Sequence, residues 1–548
     1  MNRKTTLNCI GLCFSGGGYR ASIFNLGVLS YLNRVHYDGR NMLDRVEVLS
    51  TVSGGTFTGL AFAKARLQKD YSFTSFYDQF YTTFEPANDR LMDDATANLI
   101  DDEVWKNHPH KKRSVINAMA LTYADMEVFK GNFGMFMNDK DQGIYHVCFN
   151  ATDFTFGLPF RFQNKLTFSN GKIKNKLLNK IKYELPIADI LAASSCFPVG
   201  FEPIIFPDDF YKNHKNENYL ELKELELFKN GIGLMDGGIT DNQGIGSIIN
   251  AYESSFFKNK MDLLLVSDVS SSKIAVPYQP ESEQVEESSK IKMIVGFILN
   301  SIKVYGLASF LLVLGLLLPV LSYYEVTSRW IENLLLVTSG LLLGLGIVTV
   351  VLGVVTHRIK DTLIDFMSKQ FKKVPQDLQD NVLIFENLEF NLVVKMLKER
   401  ISSSFLMIYD IFTKQLRRIN YDFLYQQNAS LNGIVVTSLI HKFNDNFKKY
   451  NPLEIGDLKL AEPSVALREV ALHASETGTQ LWWTEKDKEL NRMDKLIATG
   501  QFTTCYNLLV HISQLEKEGI DINCLKELKQ QLITDWTDFN KDAFMMMP

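Results

Sequence analysis

The sequence is poor in cysteine and histidine, with six and nine in 548 residues. The cysteines stand at 9, 13, 148, 196, 505 and 524, and no two are spaced C-x-x-C. That excludes a disulfide framework and the common zinc modules, and predicts reduced, mostly buried thiols. Nor is there an excess of charge of one sign. The 58 basic and 63 acidic residues leave a formal charge of −5, which argues against a nucleic-acid partner. No repeat of 20–50 residues is present, and no ligand cluster has metal spacing, so no cofactor is expected. Arg3 and Lys4 precede a short apolar stretch that contains Asn8 and runs directly into Ser15-Gly16-Gly17-Gly18. Without a long apolar core or a small-residue cleavage site, this reads as a first core strand rather than a signal peptide.

Hydrophobic residues make up 46% of the chain and charged residues 22%, ample for a large core. The mean hydropathy of −0.05 conceals two long apolar runs. Val304–Tyr324 is free of charge over 21 residues, and Asn333–Thr356 over 24. At about 1.5 Å per residue each is long enough for a bilayer core of ~30 Å, so a transmembrane hairpin is expected over 304–324 and 333–356. Gly340, Gly344, Gly346 and Gly353 offer close packing between its helices. Lys290, Lys292 and Lys303 precede the pair, and Arg358, Lys360, Lys369, Lys372 and Lys373 follow it, whereas the connecting turn has only Arg329. This bias predicts a multi-pass membrane protein with both termini and the catalytic domain on the cytoplasmic side.

The remainder divides by pattern. Residues 1–276 alternate strand-like and helical stretches: strands near Asn8–Phe14, Val46–Val52 and Leu263–Val269, helices near Ala21–Asn33 and Thr56–Lys69. This alternation predicts an α/β core, a mostly parallel sheet between two helical layers. Residues 277–303 form a linker and juxtamembrane segment. Residues 357–548 are expected to be a cytoplasmic helical region, with a strand near 432–440 that completes the catalytic domain. Asp93–Arg113 reads as a polar, irregular insertion or lid. The apolar cluster Phe129, Phe133, Met135, Phe136 and Met137 is read first as core packing and second as a lipid contact.

Two turns carry the chemistry. Gly16, Gly17 and Gly18 lie between a strand and a helix, where backbone N–H groups can hold a phosphate or an oxyanion. As a dinucleotide fingerprint the turn fails, because Ala21 replaces the last glycine and no acidic partner follows a second strand. Ser53 follows Val46–Val52 and precedes Gly54-Gly55 and a helix, the setting of a nucleophilic serine; a helix N-cap is the alternative. The histidines are poorly placed to serve it: His108 and His110 lie in the polar insertion, His357 flanks an apolar run, and His146, His441 and His473 lack a motif. Asp236, in Leu234-Met235-Asp236-Gly237-Gly238, is the better base, since the glycines let its carboxylate approach another backbone.

Gly16–Gly18, Ser53 and Asp236-Gly237-Gly238, in this order, resemble the patatin-like phospholipases. Further stretches resemble them too: Asn150-Ala151-Thr152-Asp153, Ala193-Ser194-Ser195-Cys196-Phe197-Pro198, and Asp236 through Asn242. The resemblance covers about residues 7–270. Thr479–Trp483 and Leu496–Gly500 resemble bacterial members more loosely. It implies the patatin-like three-layer α/β/α fold and a Ser53–Asp236 dyad without histidine. It also implies an oxyanion hole from Gly16, Gly17, Gly18 and Gly54. Arg20 is the candidate contact for a phosphate headgroup.

The activity implied is that of a membrane-anchored hydrolase, in a bacterial cytoplasmic membrane, releasing fatty acid from phospholipid through an acyl-enzyme. The bilayer and the phospholipid are the expected partners, and oligomeric state is left open. The alternatives are a non-catalytic lipid-binding or scaffold protein on this fold, and a hydrolase of other acyl esters or thioesters. Thr51 departs from the family by replacing the first glycine of G-x-S-x-G. Its bulk is expected to shift the elbow and lower the rate rather than change the mechanism.

Overall fold

The structure, a computed structural model, describes residues 7–137, 143–171, and 176–271 apart from 199, 256, 258 and 259. It also describes 302–325, 335–350, 390–444 apart from 428–430 and 432, 454–455, 458–520 and 523–547. The chain divides into two compact units, Met1–Val276 with Ile408–Pro548, and Pro277–Met407.

The first unit is built on a sheet. Its strands are β1 (Ile10–Phe14), β2 (Val46–Val52), β3 (His146–Asp153), β4 (Leu158–Gln163), β5 (Ile204–Phe206), β6 (Ile232–Asp236), β7 (Leu263–Asp268) and β8 (Val435–Leu439). They are ordered β8-β7-β1-β2-β3-β6-β5, with β4 also paired to β3. The sheet is mixed, which corrects the expectation of a mostly parallel one. β8, β7, β1, β2 and β3 run parallel, while β4, β6 and β5 pair antiparallel. The parallel part needs helices on both faces, and its side chains supply them with apolar surface in alternation. Ile10, Leu12, Phe14, Leu263 and Leu265 point into one core. Cys13, Leu264 and Val266 point into the other. Helices α1 (Gly18–Arg34) and α2 (Gly54–Ala65) cover the first face. Helix α3 (Ile245–Glu253) covers the second with Ile245, Ile248 and Ile249.

The C-terminal part is locked onto α1 by the helix Arg492–Lys517, here α4. The two cross where both are bare. A Cβ added at Gly27 would lie 2.1 Å from the Ile497 carbonyl oxygen, and one at Gly500 would lie 2.2 Å from that of Phe24. Phe129, Phe133 and Phe136 are buried in the main core, with Met135 and Met137 against it, so this cluster is core rather than a lipid contact. The stretch read as an irregular insertion contains the helices Leu91–Ile100 and Asp102–Asn107.

The second unit overturns the transmembrane hairpin. It holds the helix Ile302–Glu325, with Pro319 inside it, and helical residues over 335–350. The two touch, through the Ser339 hydroxyl donating to the Gly315 carbonyl at 2.6 Å and through Gly346 against Leu312. A Cβ added at Gly340 or Gly344 would meet nothing within 4 Å among the described residues. Among the described residues no helix is long and apolar enough to cross a membrane. The membrane-anchored reading, the bilayer as partner and the multi-pass topology in a bacterial membrane fall with the hairpin. Linker residues 277–301, and Arg329 with the basic residues Arg358–Lys373 used for orientation, lie outside the described residues.

The α1–α4 crossing leads to a prediction. Gly27→Ala or Gly500→Ala forces backbone apart in a filled core, at a cost of about 1–3 kcal/mol. Thermal unfolding of either variant should come several degrees lower; unchanged melting would show that the crossing has slack.

Candidate active site

Strand register brings the two turns together. β3 pairs with β2 as far as Asn150, which faces Val52. At the next residue the same edge passes to β6, where Ala151 faces Asp236. The residue after Val52 and the last residue of β6 therefore emerge side by side. β1 runs parallel to β2 with Phe14 opposite Thr51, so the Gly16–Gly18 turn leaves the sheet at the same level.

Ser53 has φ 49° and ψ −123°, an unfavourable backbone for any residue with a Cβ, costing ~1–3 kcal/mol. Hydroxyls hold it there. The Ser53 N–H donates to Ser194 Oγ at 3.0 Å, and Ser194 Oγ donates to the Asn150 carbonyl at 2.7 Å. Thr56 Oγ1 lies 2.8 Å from Ser194 Oγ and 2.9 Å from Thr51 Oγ1. Thr51 fits because the helix opposite is bare: a Cβ at Gly59 would lie 2.3 Å from Thr51 Cγ2. Behind the turn, Asn150 Nδ2 donates to Ser50 Oγ and the Thr51 carbonyl.

Asp236 is 3% exposed. Burial pushes its carboxyl up to about 6, while hydrogen bonds from the Ser53 hydroxyl and the Gly238 amide oppose the rise. The Gly238 N–H lies 2.7 Å from Asp236 Oδ1. This is a carboxylate beside a serine hydroxyl, poised to exchange a proton near neutral pH. Among the described residues no histidine is hydrogen-bonded to Asp236. His146 is buried on Asn164, and burial drops it to about 4.

The glycine turn sits beside them. Gly17 and Gly18 have φ of 141° and 53°, which glycine adopts without strain. The Gly16 N–H is spent on the Asn242 carbonyl at 2.9 Å, and the Tyr19 N–H on the Gln480 carbonyl at 3.1 Å. The N–H groups of Gly17, Gly18 and Gly54 have no acceptor among the described residues. Gly54 packs on Gly18, where a Cβ would lie 2.1 Å from the Gly18 carbonyl oxygen. Arg20 points elsewhere: it is 9% exposed and donates to the Ser475 and Thr477 carbonyls at 3.2 and 2.9 Å.

Cavities of 620 Å³ beside Tyr77, Tyr81 and Asp494, and of 470 Å³ beside Arg161 and Lys165, are lined by neither Ser53 nor Asp236. Among the described residues no three His, Cys, Asp or Glu side chains gather as metal ligands.

Residues 12–249 match the family model of the patatin-like phospholipases. This patatin-like stretch begins in β1 and ends in α3, and so contains the glycine turn, Ser53 and Asp236. The match supports a hydrolase of the patatin-like superfamily. No curated protein matches the chain. Ser194 and Asn242 lie within the family-like stretches, but their local sequence assigns neither a role. The carbonyls of Thr479 and Gln480 cover Gly18 and Tyr19, a placement that the loose resemblance of Thr479–Trp483 to bacterial members does not reveal.

Turnover that uses Asp236 as base should fall on acidification with a midpoint near pH 6, where the carboxylate takes up its proton. The same raised pKa acts on stability with a definite sign. Between the ordinary carboxyl range and pH 6 the folded state binds more protons than the unfolded one, so this group's contribution to stability declines as pH rises. Asp236→Asn should therefore lose turnover yet melt higher than the parent at pH 8, with the gain shrinking as pH falls from 6 to about 4. Retained turnover would remove Asp236 from the chemistry.

Proposed function

We propose that this protein is a serine acyl hydrolase that releases fatty acid from phospholipids through Ser53 and Asp236. The reading rests on one observation: the Ser53 hydroxyl stands beside the buried Asp236 carboxylate, where it offsets part of the rise that burial causes, and Ser53 packs against the glycine turn. The patatin-like match supplies the substrate class. Asp236 accepts the Ser53 proton as Ser53 Oγ forms a bond to the ester carbonyl carbon. The resulting oxyanion lies against the N–H groups of Gly17, Gly18 and Gly54, which need no reorganisation to receive it. Collapse breaks the ester bond, and the departing alcohol takes the proton from Asp236. Water then attacks the acyl-enzyme, its proton passing to Asp236 and on to Ser53 Oγ as the fatty acid leaves.

Gly16 supports this hole rather than lining it, because its N–H is occupied by Asn242. Arg20 serves the same end by tying the 475–477 carbonyls over the start of α1. Phospholipid dispersed with detergent and incubated with purified protein, followed by lipid mass spectrometry, tests the reading. Free fatty acid and lysolipid should appear with the native chain and not with Ser53→Ala. Equal release from both would remove Ser53, and release from neither, across several headgroups, would favour a non-catalytic lipid-binding protein.

A further inference from the structure

The turn that carries Asp236 does not end at the glycines. Asn242, six residues on, connects both halves of the site. Its carbonyl accepts the Gly16 N–H. Its Oδ1 occupies the space a Cβ would need at either Gly16 or Gly238, at 2.4 and 2.7 Å. Its Nδ2 donates to Ser270 Oγ at 3.2 Å. The position of Asn242 therefore sets the distance between the glycine turn and the Asp236 turn.

Both neighbours of Asn242 are gripped by one helix from the far end of the chain, Thr413–Asp422. On one side Asn420 Nδ2 donates to Asp241 Oδ1 at 3.0 Å. Asp241 also accepts the Ile245 and Gly246 N–H groups and so fixes the start of α3. On the other side Arg417 Nε lies 2.6 Å from Asp268 Oδ2, to which the Tyr421 hydroxyl also donates at 2.8 Å. The second oxygen of Asp268 accepts the Ser270 N–H at 2.8 Å, which places the hydroxyl that holds Asn242. Burial alone would raise Asp268, but Arg417 and these hydrogen bonds hold its carboxyl down at about 2. None of the helix's own residues is fully buried. Polar contacts at the edge of the site thus add to the packing of Tyr421 on the second core in attaching this helix.

We propose that the helix Thr413–Asp422 is a positioning strap for the hydrolase site. Asn420 on Asp241, and Arg417 with Tyr421 on Asp268, hold Asn242 between the oxyanion turn and the Asp236 turn. The proposal rests on the reading of Ser53 and Asp236 as the reacting pair. Arg417, Asn420 and Tyr421 touch no reacting atom and act only by placing those that do.

Asn420→Ala in the full chain is the cleanest test, since it removes one partly exposed amide and leaves the Asp268 pair intact. Asn420→Asp keeps the shape while removing the donor. With a p-nitrophenyl ester, and Ser53 titrated by a fluorophosphonate, kcat per titrated serine should fall about tenfold in both variants. KM should change less than twofold and melting little. Hydrogen exchange should quicken together at 16–19 and 236–242. Unchanged kcat per titrated serine with unchanged exchange at both turns would overturn the strap and leave the hydrolase standing. If the native chain neither turns over ester nor takes the fluorophosphonate, the reading of the dyad fails. Exchange then decides the strap alone: coupled loosening of the two turns supports it, and loosening confined to 236–242, or none, refutes it.

Discussion

One strand decides where the chemistry sits. β3 gives its edge to β2 up to Asn150 and to β6 from Ala151 onward. Two turns nearly two hundred residues apart in sequence are thereby set on adjacent rungs of one ladder, and a serine and an aspartate meet where neither segment alone specifies it. The parallel partner β1 brings the glycine turn to the same level. Each element contributes one part of the proposed site: a hydroxyl, a carboxylate and a set of unpaired amides.

The arrangement is costly to the fold, and the surroundings show how the cost is met. A serine at φ 49° and a buried carboxylate raised to about 6 are both unfavourable in isolation. Hydroxyls and amides around them take up the strain: Ser194 on the Ser53 amide, Thr56 between Thr51 and Ser194, and Asn150 behind the turn. The Gly238 amide serves Asp236. These groups are buried and mutually satisfied, so the site is rigid before substrate arrives, as electrostatic preorganisation requires.

The elements that carry the site were legible because their signals are local. The β-rich run Val46–Val52 and the glycines after Ser53 announce a strand, a sharp turn and a helix, and Asp236-Gly237-Gly238 announces a close approach. The hand-over on β3 was not legible, since pairing between distant strands leaves no local trace. Neither was the fit of Thr51 against Gly59, eight residues later, where a bare backbone leaves room for the threonine methyl. Asp93–Arg113 reads as irregular because it is polar, yet Asp93 and Asp94 in the first turn of Leu91–Ile100 suit a helix N-terminus, and Leu91 and Ala95 anchor that helix. The apolar runs misled in the opposite direction. Freedom from charge over 21 and 24 residues points to a bilayer, yet among the described residues no helix is long and apolar enough to cross a membrane.

The central claim is that Ser53 is a nucleophile made reactive by Asp236. Peptide mapping by mass spectrometry after brief exposure to a fluorophosphonate tests it most directly. The account predicts a single adduct on Ser53 in the native chain, and none on that peptide in Asp236→Asn at equal folded concentration. An unmodified Ser53, or an adduct that forms as fast without the Asp236 carboxylate, would contradict it.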